Sequence, residues 1–219
     1  MDYRESMESP SLSQALRAGT RDAHVRAERM PFVQRILRKT VVRADYAAYL
    51  RSLAEVYQAL EERLGEAPAW LQGLHPRELY RTPALESDLQ VLDPEAAAEP
   101  VAAAEAAGRR IRELPETHVL AQAYVRYLGD LSGGQALAPL VEDALDLRGG
   151  AGSAFYRFPG IDPRAFKASY REGLDGLPLD PHQQQEVVEE AVRAFQEHES
   201  IFRELEEGAE ARTREGLPS

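Results

Sequence analysis

The chain has 219 residues, 43% of them hydrophobic, with a formal net charge of −11 and no cysteine. That length supports one core, or two at most. The missing thiols exclude disulfides, thiolate metal ligands, iron–sulfur clusters and cysteine nucleophiles, and the acidic total excludes a nucleic-acid binder with a general electrostatic footprint.

No internal repeat stands out, and charges break every apolar stretch well short of the roughly 20 residues a membrane helix requires. The start, "MDYRESMESPS", is polar and acidic where a secretory signal would be basic and then apolar, and the tail "ARTREGLPS" carries no anchor motif. A cytoplasmic address is the expectation.

A first helix is expected to open near Ser11 or Ser13 and to run through "LSQALRAGTRDAHVRAE". Leu12, Leu16, Thr20, His24 and Ala27 share a face of it, which would point His24 inward. A lone histidine on an apolar face is usually a satisfied core residue, but its neighbours here raise the chance of ligation. Glu28 follows at i+4, where a carboxylate can hold one ring nitrogen and make the other more basic. Arg17 lies seven residues back, about 10 Å along the same face, where it could meet an acidic group of a ligand held at His24. From Arg17 to Arg43 eight basic residues stand against two acidic ones. The bland reading of that surplus is a solvated face; the sharper one is a docking patch for an acidic protein.

The second stripe, Tyr46, Leu50, Leu53, Tyr57, Leu60 and Leu64, advances by four and three and predicts a long amphipathic helix. The Ala-, Glu- and Pro-rich segment 83–110 that follows reads as a long loop or a weak surface helix, with no domain boundary in it, because the stripes on either side need each other for burial.

The least ordinary helix is "HVLAQAYVRYLGDLSGGQALAPLVEDALDL". Gly129 and Gly133 stack at i and i+4 with Gly134 beside them, and three glycines weaken a helix by about 2–3 kcal/mol relative to alanine. Close helix packing is one explanation; the other is a backbone laid against something flat, with space left for a small molecule. Asp130, inside the run, is not explained by packing. A carboxylate there can organise water into a proton-delivering chain. Pro139 interrupts the helix and removes a backbone donor to the carbonyl of Gln135.

A further helix opens at Asp162-Pro163 with Phe166 and Tyr170 one turn apart and carries the cationic pair Lys167 and Arg171, which on spacing alone is an ordinary exposed basic face. The last opens at Asp180-Pro181, with Gln183 placed for a capping box, and carries the stripe Val188, Ala191, Phe195, His198, Phe202, Leu205. These elements together predict an all-α, single-domain helical bundle.

The stretches "LSQALRAGTRDAHVRAE" and "AQAYVRYLGDLSGGQ" resemble the proximal and distal helix motifs of the haem oxygenase family. The similarity extends from about residue 12 to 207 through "SLAEVYQALEE", "FKASYR" and "EEAVRAFQEHESIFREL". The resemblance implies haem b as both cofactor and substrate, held between a proximal helix and a kinked distal helix, with O2 and an external electron donor opening it to biliverdin, carbon monoxide and ferrous iron. It implies that His24 ligates the iron with Glu28 orienting it, and that Gly129 and Gly133, with Gly134 beside them, let the distal helix bend over the haem. On the same basis Asp130 anchors the distal water with Tyr57 and Arg126. Arg17, Lys167 and Arg171 pair with the propionates near Tyr124, and Phe195 and Phe202 wall the pocket. A ferredoxin or an NADPH-dependent reductase is the implied donor, docking on the basic patch.

The sequence departs from the family pattern at Gln122, where some relatives carry a second histidine, so that position is given no catalytic role. It also lacks the hydrophobic C-terminal anchor of membrane-bound relatives. The expected organisation is a disordered tail over 1–10, the haem oxygenase domain over 11–207 and a flexible tail over 208–219. The alternatives are a non-degrading haem carrier or sensor, against which Asp130 and the glycine pair argue, and a relative of the fold that acts on thiamin. His198 is the internal rival to His24 as ligand.

Overall fold

The computed structural model describes residues 10–215. Among them are nine α-helices and no strand: α1 Leu12–Glu28, α2 Pro31–Leu37, α3 Arg43–Glu66, α4 Ala69–Leu74, α5 Thr82–Leu92, α6 Ala102–Arg112, α7 Glu116–Ala144, α8 Pro163–Asp175 and α9 Pro181–Glu215. Short 3-10 turns stand at Arg77–Leu79 and Ala154–Tyr156. No helix among the described residues is long and apolar enough to cross a membrane.

The helix starts follow from their capping chemistry. The Ser11 N–H donates to Gln14 Oε1 at 3.3 Å. Asp162 Oδ1 accepts from the Ala165 N–H at 2.6 Å, and Asp180 and Gln183 cap each other's backbone N–H at 2.9 and 3.0 Å. Each satisfies donors that the first helical turn leaves without partners. The α3 stripe from Tyr46 to Leu64 is wholly buried. Burying each such leucine contributes about 1.5–3 kcal/mol, so α3 is the post around which the other helices assemble. α5 and α6 pack on α3, while α1 and α7 both lean on α9.

Four expectations are corrected. The segment 83–110 is a loop only between Asp93 and Val101: on either side it forms most of α5 and α6, which bury Leu85, Leu89, Leu92, Ala104, Ala107 and Ile111 and so are not surface helices. Alanine at the α6 positions lets that helix lie close against α3, so its small side chains are a packing device. Pro139 does not interrupt α7, which runs unbroken to Ala144. The carbonyl it deprives belongs to exposed Gln135, where water can take the place of the missing donor. Residues 208–215 continue α9, with Ala209 buried and Arg212 paired to the buried carboxylate of Asp45 at 2.6 Å. The most deeply buried face of α9 is Val187, Ala191, Ala194, Ile201 and Leu205, with Phe195 and His198 on its flank. The tails at 1–9 and 216–219 lie outside the described residues.

Candidate functional site

Because α1 and α7 are both carried by α9, a cleft of about 480 Å³ is left between them. α1 lines it with Arg17, Thr20, Arg21 and His24, α7 with Tyr124, Leu128, Gly129 and Ser132, α8 with Lys167 and Arg171, and α9 with Phe195. The heptad spacing of Arg17 and His24 thus does place both on one wall.

His24 is not buried as its stripe suggested: its side chain is 51% exposed. Leu12, Leu16, Ala23 and Ala27 form the buried face of α1, and His24 sits at its border, turned into the cleft. The edge of its ring meets Phe195, with centroids 5.9 Å apart. Its Nδ1 lies 3.7 Å from Glu28 Oε1, beyond direct hydrogen-bond distance but close enough for a bridging water to orient the ring, with Nε2 left to ligate.

A Cβ placed on Gly129 or Gly133 would meet nothing within 4 Å, so the backbone of α7 is bare at both positions. Gly134 is different. A Cβ there would stand 3.1 Å from the backbone oxygen of Tyr156, so this glycine serves packing of α7 against the turn at 154–156 and not the cleft. The prediction separates the two kinds. Gly129→Ala should raise stability by about 0.5–1 kcal/mol in urea unfolding while weakening ligand binding, because its methyl fills open cleft. Gly134→Ala should lose about 1–3 kcal/mol through overpacking.

Asp130 does not line the cleft. Its carboxylate accepts the hydroxyl proton of buried Tyr57 and borders a second cavity of about 370 Å³ between α7 and residues 156–163. Burial pushes its pKa up to about 7, against the lowering effects of the Tyr57 hydrogen bond and of Arg81 and Arg126. Near neutral pH such a group can give a proton as well as take one. Arg81 was not foreseen. It is buried by carbonyl contacts to Leu79 and Arg157, and no local spacing announces it.

Arg126 is 1% exposed. Its Nη2 donates to Gln122 Oε1 at 2.9 Å, and Glu197 Oε2 stands 3.7 Å away. Gln122 in turn donates to Glu190 at 2.7 Å and Glu197 at 3.0 Å, tying α7 to α9. His198, the rival ligand, lies outside the cleft, its Nδ1 3.4 Å from Arg126 Nη1 and its ring tilted against Phe202. Burial and then Arg126 drive its pKa down to about 3, so it is a neutral framework residue. Phe202 does not wall the cleft; it packs on Phe32 and Tyr49 in the core. Val25, Val125 and Leu128 of the cleft wall were not singled out by the sequence reading, nor were two polar residues, the first of them Arg21, although it sits at i+4 from Arg17. The other, Ser132, accepts from Lys167 Nζ at 3.3 Å across the cleft, a contact between helices that spacing does not announce.

The arrangement suits a flat, largely apolar ligand with an acidic edge: an imidazole on one side, bare backbone on the other and four cations, Arg17, Arg21, Lys167 and Arg171, in the lining. A family model described as "Heme oxygenase" matches residues 10–204. The chain is 36% identical to haem oxygenase 1 of Homo sapiens over 95% of its own length and 76% of the human protein, and 37% identical to haem oxygenase 1 of a Nostoc strain, over 90% and 87%. The crystal structure of haem oxygenase-1 from the cyanobacterium Synechocystis in complex with haem superposes with a TM-score of 0.84 at 34% identity, covering 95% of this chain and all of that one. The structure of haem oxygenase from Leptospira interrogans gives 0.81 at 36%, over 88% and 98%.

Proposed function

The chain belongs to the haem oxygenase family, and from that premise we propose how its own residues divide the work of opening haem to biliverdin. Haem bound in the cleft supplies both the iron that takes up O2 and the macrocycle that is cleaved, with carbon monoxide and iron as the other products. The observation that carries the reading is the bare face of α7 at Gly129 set in the same cleft as a half-exposed His24.

His24 Nε2 holds the iron as a neutral imidazole, and Glu28 keeps the ring oriented from Nδ1. Arg17, Lys167 and Arg171 neutralise the carboxylates at the haem edge, beside Tyr124, and Phe195 supports both His24 and the apolar wall. The absent side chains at Gly129 and Gly133 let α7 lie over the reacting face. Asp130 stands behind that face with Tyr57 on its carboxylate, and it acts through ordered water, passing a proton toward the cleft. Arg126 holds positive charge close by, which steadies the carboxylate. Phe202 and Gly134 contribute only by packing.

The protein reconstituted with hemin and supplied with ascorbate or a ferredoxin reducing system in air should lose its Soret band and gain a broad red biliverdin band. A Soret band that persists would favour a carrier.

The electron donor, a ferredoxin or an NADPH-dependent reductase, docks on the basic face of α1 and α2. Several cations of that face are already engaged: Arg26 with Glu199, Arg35 with Asp45, and Lys39 with Asp143. Arg29 and Arg38 have no acidic partner among the described residues, so they carry the attraction. Arg29→Glu should slow reduction of the hemin complex about three- to tenfold at low salt, a difference that fades as added salt screens it. An unchanged rate in rapid-mixing experiments would mean that the face is merely solvated.

A further inference from the structure

Two of the four cations lining the cleft, Lys167 and Arg171, stand on α8, a helix of 13 residues, so the position of that helix decides where they point. Tyr170, on the same helix as Lys167 and Arg171, is turned into the protein and is 2% exposed. Its hydroxyl lies 2.7 Å from His75 Nε2, and His75 Nδ1 lies 2.9 Å from the carbonyl oxygen of Leu71 in α4. A carbonyl only accepts, so Nδ1 carries the proton and Nε2 accepts from Tyr170. The histidine is itself 2% exposed and neutral, its pKa lowered to about 4 by burial.

Around this bond α8 is pressed hard against its neighbours. A Cβ on Gly173 would run into Leu74 Cδ2, so glycine there lets the Leu74 side chain of α4 lie directly on the α8 backbone. At the far end Asp175 accepts from the Ser13 N–H at 2.8 Å and the Ser13 hydroxyl at 2.9 Å, which ties α8 to the helix bearing Arg17 and His24. Apolar contact and an end tether set distance but leave rotation about the helix axis free. A buried, directional hydrogen bond from the middle of the helix does not. Measured round the helix, Lys167 and Arg171 stand about 60° and about 100° from Tyr170, on the same side of it, so any roll of α8 swings both cations together.

We propose that the His75–Tyr170 hydrogen bond sets the rotation of α8, which makes His75 a positioning residue for the carboxylate clamp of the haem cleft. The proposal rests on the reading that Arg17, Lys167 and Arg171 receive the haem carboxylates.

The test compares hemin with hemin dimethyl ester, which has the same macrocycle without the charges, in titrations of the Soret band on the resting protein. His75→Phe and Tyr170→Phe each remove the bond and keep a ring in place. Emission of Trp70, the single tryptophan and a residue of α4, checks that α4 stays seated. Either variant should bind hemin about five- to tenfold more weakly, with the ester's affinity held within about twofold. Equal weakening for both ligands means general loosening and overturns the proposal, as does unchanged hemin binding while the wild type still prefers hemin. A wild type that binds both ligands alike overturns the carboxylate reading itself, and the lock with it.

Discussion

Asp130→Ala is expected to bind hemin normally and to lose biliverdin formation by about 100-fold or more, the scale on which a positioned proton donor acts. The carboxylate does not line the cleft, so its removal takes nothing from the binding surface. What goes is the group that accepts from Tyr57 and that burial holds at a pKa of about 7. A surface aspartate near 3.9 would be a poor proton donor at neutral pH; one titrating close to the working pH both takes a proton from solvent and yields it. The 370 Å³ cavity beside it gives water a route to the carboxylate from the side away from the cleft. Without that group, water near the reacting face has no anchor, and bound oxidant should be diverted toward peroxidase-type oxidation of an added phenol. The measurement is biliverdin yield by chromatography alongside phenol oxidation with hydrogen peroxide. A normal yield would sink the water-anchoring role. Asp130→Asn keeps the size and loses the titration, so it should resemble the alanine variant.

His24→Ala should abolish ring opening while much of the hemin affinity survives. Losing a partner that only orients a metal ligand typically lowers activity about 10- to 100-fold, and loss of the ligand itself is expected to lower ring opening by more than that. Phe195, Tyr124 and the four cations of the lining remain to hold the macrocycle. The vacated space is open to solvent, because the histidine was already half exposed. Added imidazole should therefore enter, ligate, and restore part of the ring opening, with Glu28 free to accept from its second nitrogen. The absorption spectrum of the hemin complex before and after imidazole reports ligation directly. An unchanged spectrum in the variant would hand the ligand role to His198, against its placement outside the cleft and its burial beside Arg126.

Much of the fold was legible because it is written in local terms. The α3 stripe, the caps at Asp162 and Asp180, and the shared wall of Arg17 and His24 follow from helical period and from donors that a first turn must satisfy. The segment 83–110 was misread because its two helices flank a stretch carrying Pro94 and Pro100, and because the close approach of α6 to α3 that its small side chains allow exists only in the folded chain. The end of α9 was misread because what holds it is the ion pair from Arg212 to Asp45, 167 residues away in sequence.

Within the site the same division holds. By itself the sequence determined which residue types are present, on which helices, and at what spacing: a histidine with an acid one turn on, a bare glycine pair with a carboxylate between, and a basic pair on α8. Only the tertiary structure decided that Gly134 answers to the Tyr156 backbone, that Phe202 belongs to the core, that Asp130 faces away from the cleft, and that His75 meets Tyr170. Period and propensity specify directions about a helix axis. Which direction is dry, which charge lies near which, and hence which group holds its proton at neutral pH, depend on neighbours that the chain brings together only on folding.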